Sequence, residues 1–238
     1  AVVAGAGADE IFGAADQAWQ LSGNTNEIST NQIKFTEVEK ATAANGSING
    51  TGVADIFTLS DEDGTANKVT ANNIIFSNII SVDAGVGEDI VNGFSNQIWT
   101  LTNSGNTITG FSGLGVSFID TEVANSQEGG AIIGTSLADV FKTTNINNQI
   151  VISTFTFYGI AEVDARDGGA SDVLNTVNGS SESFRFNGDD ILKINNDLTE
   201  IVFKGFESLA GETIDTLDAL SSTFSYSLNF LFENNPGI

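Results

Sequence analysis

The stretch "VDAGVGEDIV" (82–91) sets Gly85, Gly87 and Asp89 in the order G-x-G-x-D-x-V, directly ahead of an apolar run. Related fragments return as "AGAGADEIF" (4–12), "NGTGVADIF" (49–57), "IGTSLADVF" (133–141) and "DGGASDVLN" (167–175). Glycine supplies positive φ at no steric cost, and aspartate bonds its own neighbouring backbone. Each fragment therefore reads as a tight turn feeding a strand. Two functions suit such a turn: a corner of the chain, or an oxygen-lined cation site.

Working outward, the turns sit inside a longer period. "NGTGVADIF" and "IGTSLADVF" lie 84 residues apart, and "WQLSGNTNEIS" and "WTLTNSGNTIT" align Trp19 with Trp99, 80 apart. Asp83 and Asp89 align with Asp164 and Asp172 at offsets of 81 and 83, and "FRFNGDDILKI" from Phe184 takes the place of the Trp19 and Trp99 segments a third time. A super-repeat of 80–84 residues thus covers most of the chain, with half-units near 4–45, 46–83, 84–129, 130–165 and 166–212. Runs such as "IIFSNIISVDAG", "FTFYGIAEVDAR" and "IVFKGFESLAG" are short, β-branched and aromatic, and turn residues bound them, so they read as strands. The nearest approach to a helical period is "DTLDALSS" (215–222).

Many similar strands between glycine-aspartate corners predict an all-β fold, a parallel β-solenoid over residues 1–212 in which each coil stacks on the last. Tandem β-sandwich domains are the competing arrangement. Phe57, Ile75, Ile80, Val82, Phe141, Ile152, Phe157 and Val163 are the expected inward residues. With one proline, Pro236, glycine and asparagine must make the corners.

The 238 residues carry 31 Asp and Glu against eight Lys and Arg, a formal net charge of -23. Such a surface repels phosphate backbones and anionic membranes, and its self-repulsion calls for salt or bound cations. Carboxylate and carbonyl oxygens suit calcium. The chain has no cysteine, histidine or methionine, which excludes disulfides, zinc held by N and S ligands, and Ser–His or Cys nucleophiles. No run of 18 apolar residues and no signal-peptide pattern is present. The start without Met predicts a processed terminus or a fragment.

"AGVGEDIV" (84–91), "AGAGADEIF" (4–12) and, more loosely, "FNGDDIL" (186–192) resemble the G-G-x-G-x-D-x-U-x nonapeptide of RTX proteins, the hemolysin-type calcium-binding family. The resemblance covers each turn and a flanking strand. It implies a bacterial secreted or surface protein, a parallel β-roll, calcium in the turns, and export by an uncleaved C-terminal signal. Carried onto this chain, Asp9 and Asp89 become ligands with Gly85 and Gly87 carbonyls, and Asp83, Asp164, Asp167 and Asp172 extend the candidate calcium set. The copies here stand singly, 33 to 50 residues apart, whereas RTX nonapeptides run in tandem. "SDEDG" (60–64) resembles the opening of an EF-hand loop but lacks its third aspartate. The alternative of plain corners stays open for every turn.

Without histidine, two-carboxylate hydrolysis is the enzyme chemistry left open. Asp164, Arg166 and Asp167 cluster in sequence, but within a repeat corner, so no enzyme is predicted. Trp19 and Trp99, at equivalent repeat positions, read as core residues, with a sugar-stacking platform as the alternative. "STFSYSLNFLF" (222–232) alternates strictly and sets Phe224, Tyr226, Leu228, Phe230 and Phe232 on one side. Residues 213–238 are therefore expected to cap the last coil or to add as a strand to a neighbouring subunit. The expected function is that of an extracellular, self-assembling structural protein of a bacterial surface layer, filament or matrix, or a module of a large adhesin. A carbohydrate-binding or carbohydrate-cleaving β-helix is the alternative. Homopolymers formed by head-to-tail strand contacts are the expected partners, with glycans second and neither nucleic acid nor membrane insertion expected.

Overall fold

A computed structural model describes residues 1–60, 67–104, 107–110, 115–144, 146–165, 172–175, 183–187, 190–195, 198–206, 208–210 and 216–219. Among the described residues there are strands and no helix. Parallel strands stack into a β-solenoid of about five turns. After Val2–Val3 (β1), the first unit runs through Glu10–Phe12 (β2), Ala18–Leu21 (β3), Glu27–Thr30 (β4), Ile33–Thr36 (β5), Lys40–Asn49 (β6), Ile56–Leu59 (β7), Val69–Ala71 (β8) and Ile74–Asp83 (β9).

The same eight-strand order then recurs. Its second pass is Ile90–Asn92 (β10), Ile98–Leu101 (β11), Thr107–Gly110 (β12), Val116–Ile119 (β13), Val123–Ile133 (β14), Val140–Thr143 (β15), Ile150–Ile152 (β16) and Phe155–Asp164 (β17). A third pass begins with Val173–Asn175 (β18), Ser183–Asn187 (β19), Asp190–Asn195 (β20) and Leu198–Lys204 (β21). Ser208–Ala210 (β22) and Thr216–Ala219 (β23) then stand where the two halves of β14 stood.

The solenoid is parallel between coils and antiparallel within them. β2, the first half of β6 and the first half of β9 pair in parallel. β8 then bridges β9 to β7 by antiparallel pairing, and β7 passes in parallel to β10, β14 and β17. A second face runs likewise from β3 through the far halves of β6 and β9 to β13, then by the meander β13–β12–β11 to the far halves of β14 and β17 and to β21. The long strands β6, β9, β14 and β17 belong to both faces. Each bends where Asn45, Asn78, Gly129 or Gly159 takes a positive φ of 54°, 60°, 67° or 71°. Asparagine and glycine are the residues that tolerate this conformation. Asn31–Gln32 and Asn72–Asn73 are positive at both positions and close two-residue hairpins, the turn that matches strand twist.

The core lies between the faces and is built of in-register columns. Trp19, Ile48, Val82 and Phe118 form one, and Trp99, Ile132, Val163 and Phe203 repeat it one unit on. Phe57, Val91, Ala124 and Phe157 stack opposite, and all twelve side chains are fully buried. Burying each large member stabilises the fold by roughly 1.5–3 kcal/mol.

The expected inward set holds at Phe57, Val82, Phe141, Ile152, Phe157 and Val163. It needs correction at Ile75 and Ile80. Ile74, Phe76 and Ile79 point inward, while Ile75 is half-buried and Ile80 is 44% exposed. Inward positions run 74, 76, 79 and 82, because the bend at Asn78 and the register break between Ile79 and Ser81 each interrupt the period of two, while Ile75 lies between two inward residues. The best helical candidate, 215–222, is also corrected, since Thr216–Ala219 is a strand paired with β19. Residues 220–238, which hold Phe224, Tyr226, Leu228, Phe230 and Phe232, lie outside the described residues.

Candidate functional site: the acidic corners

The Gly/Asp turns stack above one another, backbone against backbone. A Cβ on Gly50 would come within 2.0 Å of Ala84 O, and one on Gly85, at φ +92°, within 2.6 Å of Thr51 O. Close approach explains glycine at residue 50, and close approach with a left-handed backbone explains it at residue 85.

The carboxylates of these turns bond the backbone of the adjacent coil. Asp55 N donates to Asp89 Oδ1 at 2.7 Å, and Asp89 N donates to Glu122 Oε2 at 2.7 Å. Asp139 N donates to Asp172 Oδ1 at 2.7 Å, and Asp9 N to Glu39 Oε2 at 2.8 Å. The main chain reinforces each step, with Ile90 N donating to Asp55 O, Val123 N to Asp89 O, Val173 N to Asp139 O and Lys40 N to Asp9 O. The leading aspartates turn inward on their own loops. Asp55 Oδ2 accepts from Thr51 N and Thr51 Oγ1, and Asp139 Oδ2 accepts from Thr135 N and Thr135 Oγ1. One column thus runs Asp55, Asp89 and Glu122, one residue per coil, while Asp9–Glu39 matches its last two members and Asp139–Asp172 its first two.

Charge-assisted bonds of this kind satisfy amides that a turn leaves without ladder partners. They also bring like charges together. Asp89 is fully buried, and its Oδ2 accepts no hydrogen bond among the described residues. Burial pushes the Asp89 carboxyl above its ordinary value, and the negative charges of Glu122, Asp55 and Asp120 push the same way against the pull of the Asp55 amide.

The candidate calcium residues are thus distributed over separate corners. Asp9, Asp89 and Asp172 hold the middle place of three columns, and Gly85 and Gly87 belong to the same corner as Asp89. Asp83 ends β9 and is exposed, while Asp164 ends β17 beside Lys204. Asp167, like Asp61, Asp63 and Arg166, lies outside the described residues. Among the described residues no three acidic side chains gather as a metal-holding group. Glu39, Glu122, Thr51 and Thr135 were not anticipated. The threonine four residues ahead of aspartate in both "GTxxAD" turns was the available signal.

Trp19 and Trp99 are fully buried, so neither forms a surface platform. No helix of the described residues is long and apolar enough to cross a membrane. The strands β1 and β2 differ in exposure from the inner coils. Val2 and Val3 of β1 are 49% and 63% exposed, and Phe12 of β2 is 75% exposed. Among the described residues β1 pairs with β5 alone and β2 with β6 alone.

No protein-family model, curated protein or solved structure matches the chain.

Proposed function

We propose that the protein is a self-assembling structural subunit of an extracellular layer, filament or matrix, or of a large adhesin. The observation that carries this reading is the stacking of parallel coils, whose inner rungs are bonded on both sides, together with the exposure of Val2, Val3 and Phe12 among the described residues. An exposed strand edge with large apolar side chains is a template for a further strand, and natural folds cover such edges. A coil-to-coil architecture extends this logic, because every coil is already the docking surface of the next.

Calcium enters the proposal as a counter-ion between subunits. The net charge of -23 opposes association, and divalent cations at exposed carboxylates such as Asp83 would offset that repulsion. The carboxylates of Asp89 and Asp172 accept amides of the adjacent coil, so these corners need no ion in this reading. Light scattering across a concentration series, with EDTA and with calcium, tests the proposal. Mass that grows with concentration is expected in both, at lower concentration with calcium. A constant monomer mass throughout would contradict it.

A further inference from the structure

The acidic corners carry a second feature on their outer side. Val53 and Val86, at the tips of the corners that lead to Asp55 and Asp89, are 64% and 76% exposed. The two tips are stacked, because a Cβ on Gly87 would lie 2.7 Å from the Ala54 nitrogen and 2.8 Å from the Val53 carbonyl carbon. Just beyond them Ile56, Ile90 and Val123 sit in register on the neighbouring rungs β7, β10 and β14. Ile56 is 57% exposed and the other two are half-buried. Rungs of a sheet stand about 4.8 Å apart, so these side chains form one outward apolar ridge and not scattered surface residues.

Acid lines this ridge. Glu88 is exposed between Val86 and Ile90, and Asp120 and Glu122 are half-buried just ahead of Val123. The segments 50–60, 83–92 and 119–125, which build the ridge, contain no Lys or Arg. An apolar patch bounded by one sign of charge suits a partner of the opposite sign. A second copy of this chain is ill matched to it. The chain has eight Lys and Arg against 31 Asp and Glu, and Lys34, Lys193 and Lys204 already pair with Glu27, Glu200 and Glu162.

The repeat supplies a comparison. Leu137 and Val140 stand 84 residues after Val53 and Ile56 and are exposed as well. There, however, β15 carries the exposed cation Lys142 where β7 carries Thr58. The two corners share their apolar side chains and differ in charge.

We propose that the ridge of Val53, Val86, Ile56, Ile90 and Val123 docks an amphipathic helix of another protein, one with Lys or Arg beside its apolar stripe. A helix laid along the solenoid axis presents apolar side chains once per turn, about 5.4 Å, close to the rung spacing of about 4.8 Å. Same-face side chains of an extended strand repeat at roughly 6.7 Å and fall out of step sooner. The basic residues of the helix then face Glu88, Asp120 and Glu122. The contact does not rest on self-assembly.

Fluorescence anisotropy of a labelled helical peptide of Leu and Lys, titrated with the full protein, tests the proposal. Peptides of the same pattern in Leu and Glu, and in Ser and Lys, are the controls. Saturable binding of the Leu/Lys peptide alone is expected. Val53→Ser and Val86→Ser should each weaken it roughly tenfold, the worth of one buried valine. Glu88→Gln should weaken it less and reduce its salt dependence, and Leu137→Ser should leave it unchanged. These positions are all exposed, so the variants should melt with the unsubstituted protein. Equal binding of the Ser/Lys peptide would reduce the ridge to its charge and overturn the proposal. An equal loss in Leu137→Ser would assign the binding to general apolar adhesion, and no binding of the Leu/Lys peptide would also contradict it. Loss of self-assembly in Val86→Ser with peptide binding intact would give the ridge to a second copy instead.

Discussion

Trp99 donates its Nε1–H to Ser126 Oγ at 2.9 Å inside the core, whereas Trp19, one unit earlier, has no acceptor for Nε1 among the described residues. The difference traces to one residue. Ala43 follows Lys40 by three positions, as Ser126 follows Val123, so alanine stands where the hydroxyl would be. Ala43→Ser should restore the bond and raise stability by about 1 kcal/mol, and Ser126→Ala should lower it by about 1–3 kcal/mol. Urea unfolding of both variants checks this, and a destabilised Ala43→Ser would mean that the Trp19 site has no room for the hydroxyl.

Asp89 is predicted to act as a corner residue. Asp89→Ala leaves the buried Asp55 N–H without its acceptor and should cost about 1–3 kcal/mol, equally in EDTA and in calcium. Asp89→Asn keeps an oxygen for that amide and removes the buried charge, so it should be much milder. Melting curves in the two buffers decide it; a loss seen only with calcium would return Asp89 to ion binding.

The pH dependence follows from the same carboxyl. Burial raises the Asp89 pKa in the fold above its unfolded value, so the fold binds this proton more tightly than the unfolded chain does. Its stabilising contribution is complete below the ordinary aspartate range and fades as pH rises through the raised value. Glu27 has the opposite sign. The Lys34 ammonium, 2.8 Å away, lowers its pKa, and that contribution fades only as acid is added below the ordinary glutamate range. Melting temperature should therefore fall as pH rises from about 4 through the raised value, with Asp89→Asn flattening that slope relative to the unsubstituted protein. Equal slopes in the two proteins would assign the effect to the net charge instead.

Coil spacing at the corner should tolerate no side chain at residue 50. Gly50→Ala would place Cβ 2.0 Å from the Ala84 carbonyl oxygen, and backbone cannot swing aside as a side chain can. A loss of roughly 1–3 kcal/mol is expected. Gly23→Ala, with nothing within 4 Å, is the control and should leave stability nearly unchanged. Comparable losses at both positions would refute the close packing of the corners.

Much of the fold was legible because repetition amplifies weak local signals. Trp19 with Trp99 and Asp55 with Asp139 set a period that the eight-strand units reproduce. The asparagine-rich composition was legible for the same reason, since Asn31, Asn45, Asn72, Asn73 and Asn78 take the left-handed turns that proline-free corners require. The parallel stacking between coils was legible, but the antiparallel links within them were not. β8 alternates as β7 does, and nothing in a single strand records whether its neighbour runs parallel or antiparallel. The corner glutamates were hidden because Glu39 and Glu122 act on residues 30 and 33 positions away, and only stacking brings them together.

Self-assembly is most directly tested by negative-stain electron microscopy of the protein, in EDTA and again with calcium. Filaments or sheets are predicted in both conditions, more abundant with calcium, and absent after deletion of residues 222–238. Isolated particles of the intact chain in both conditions would contradict the account.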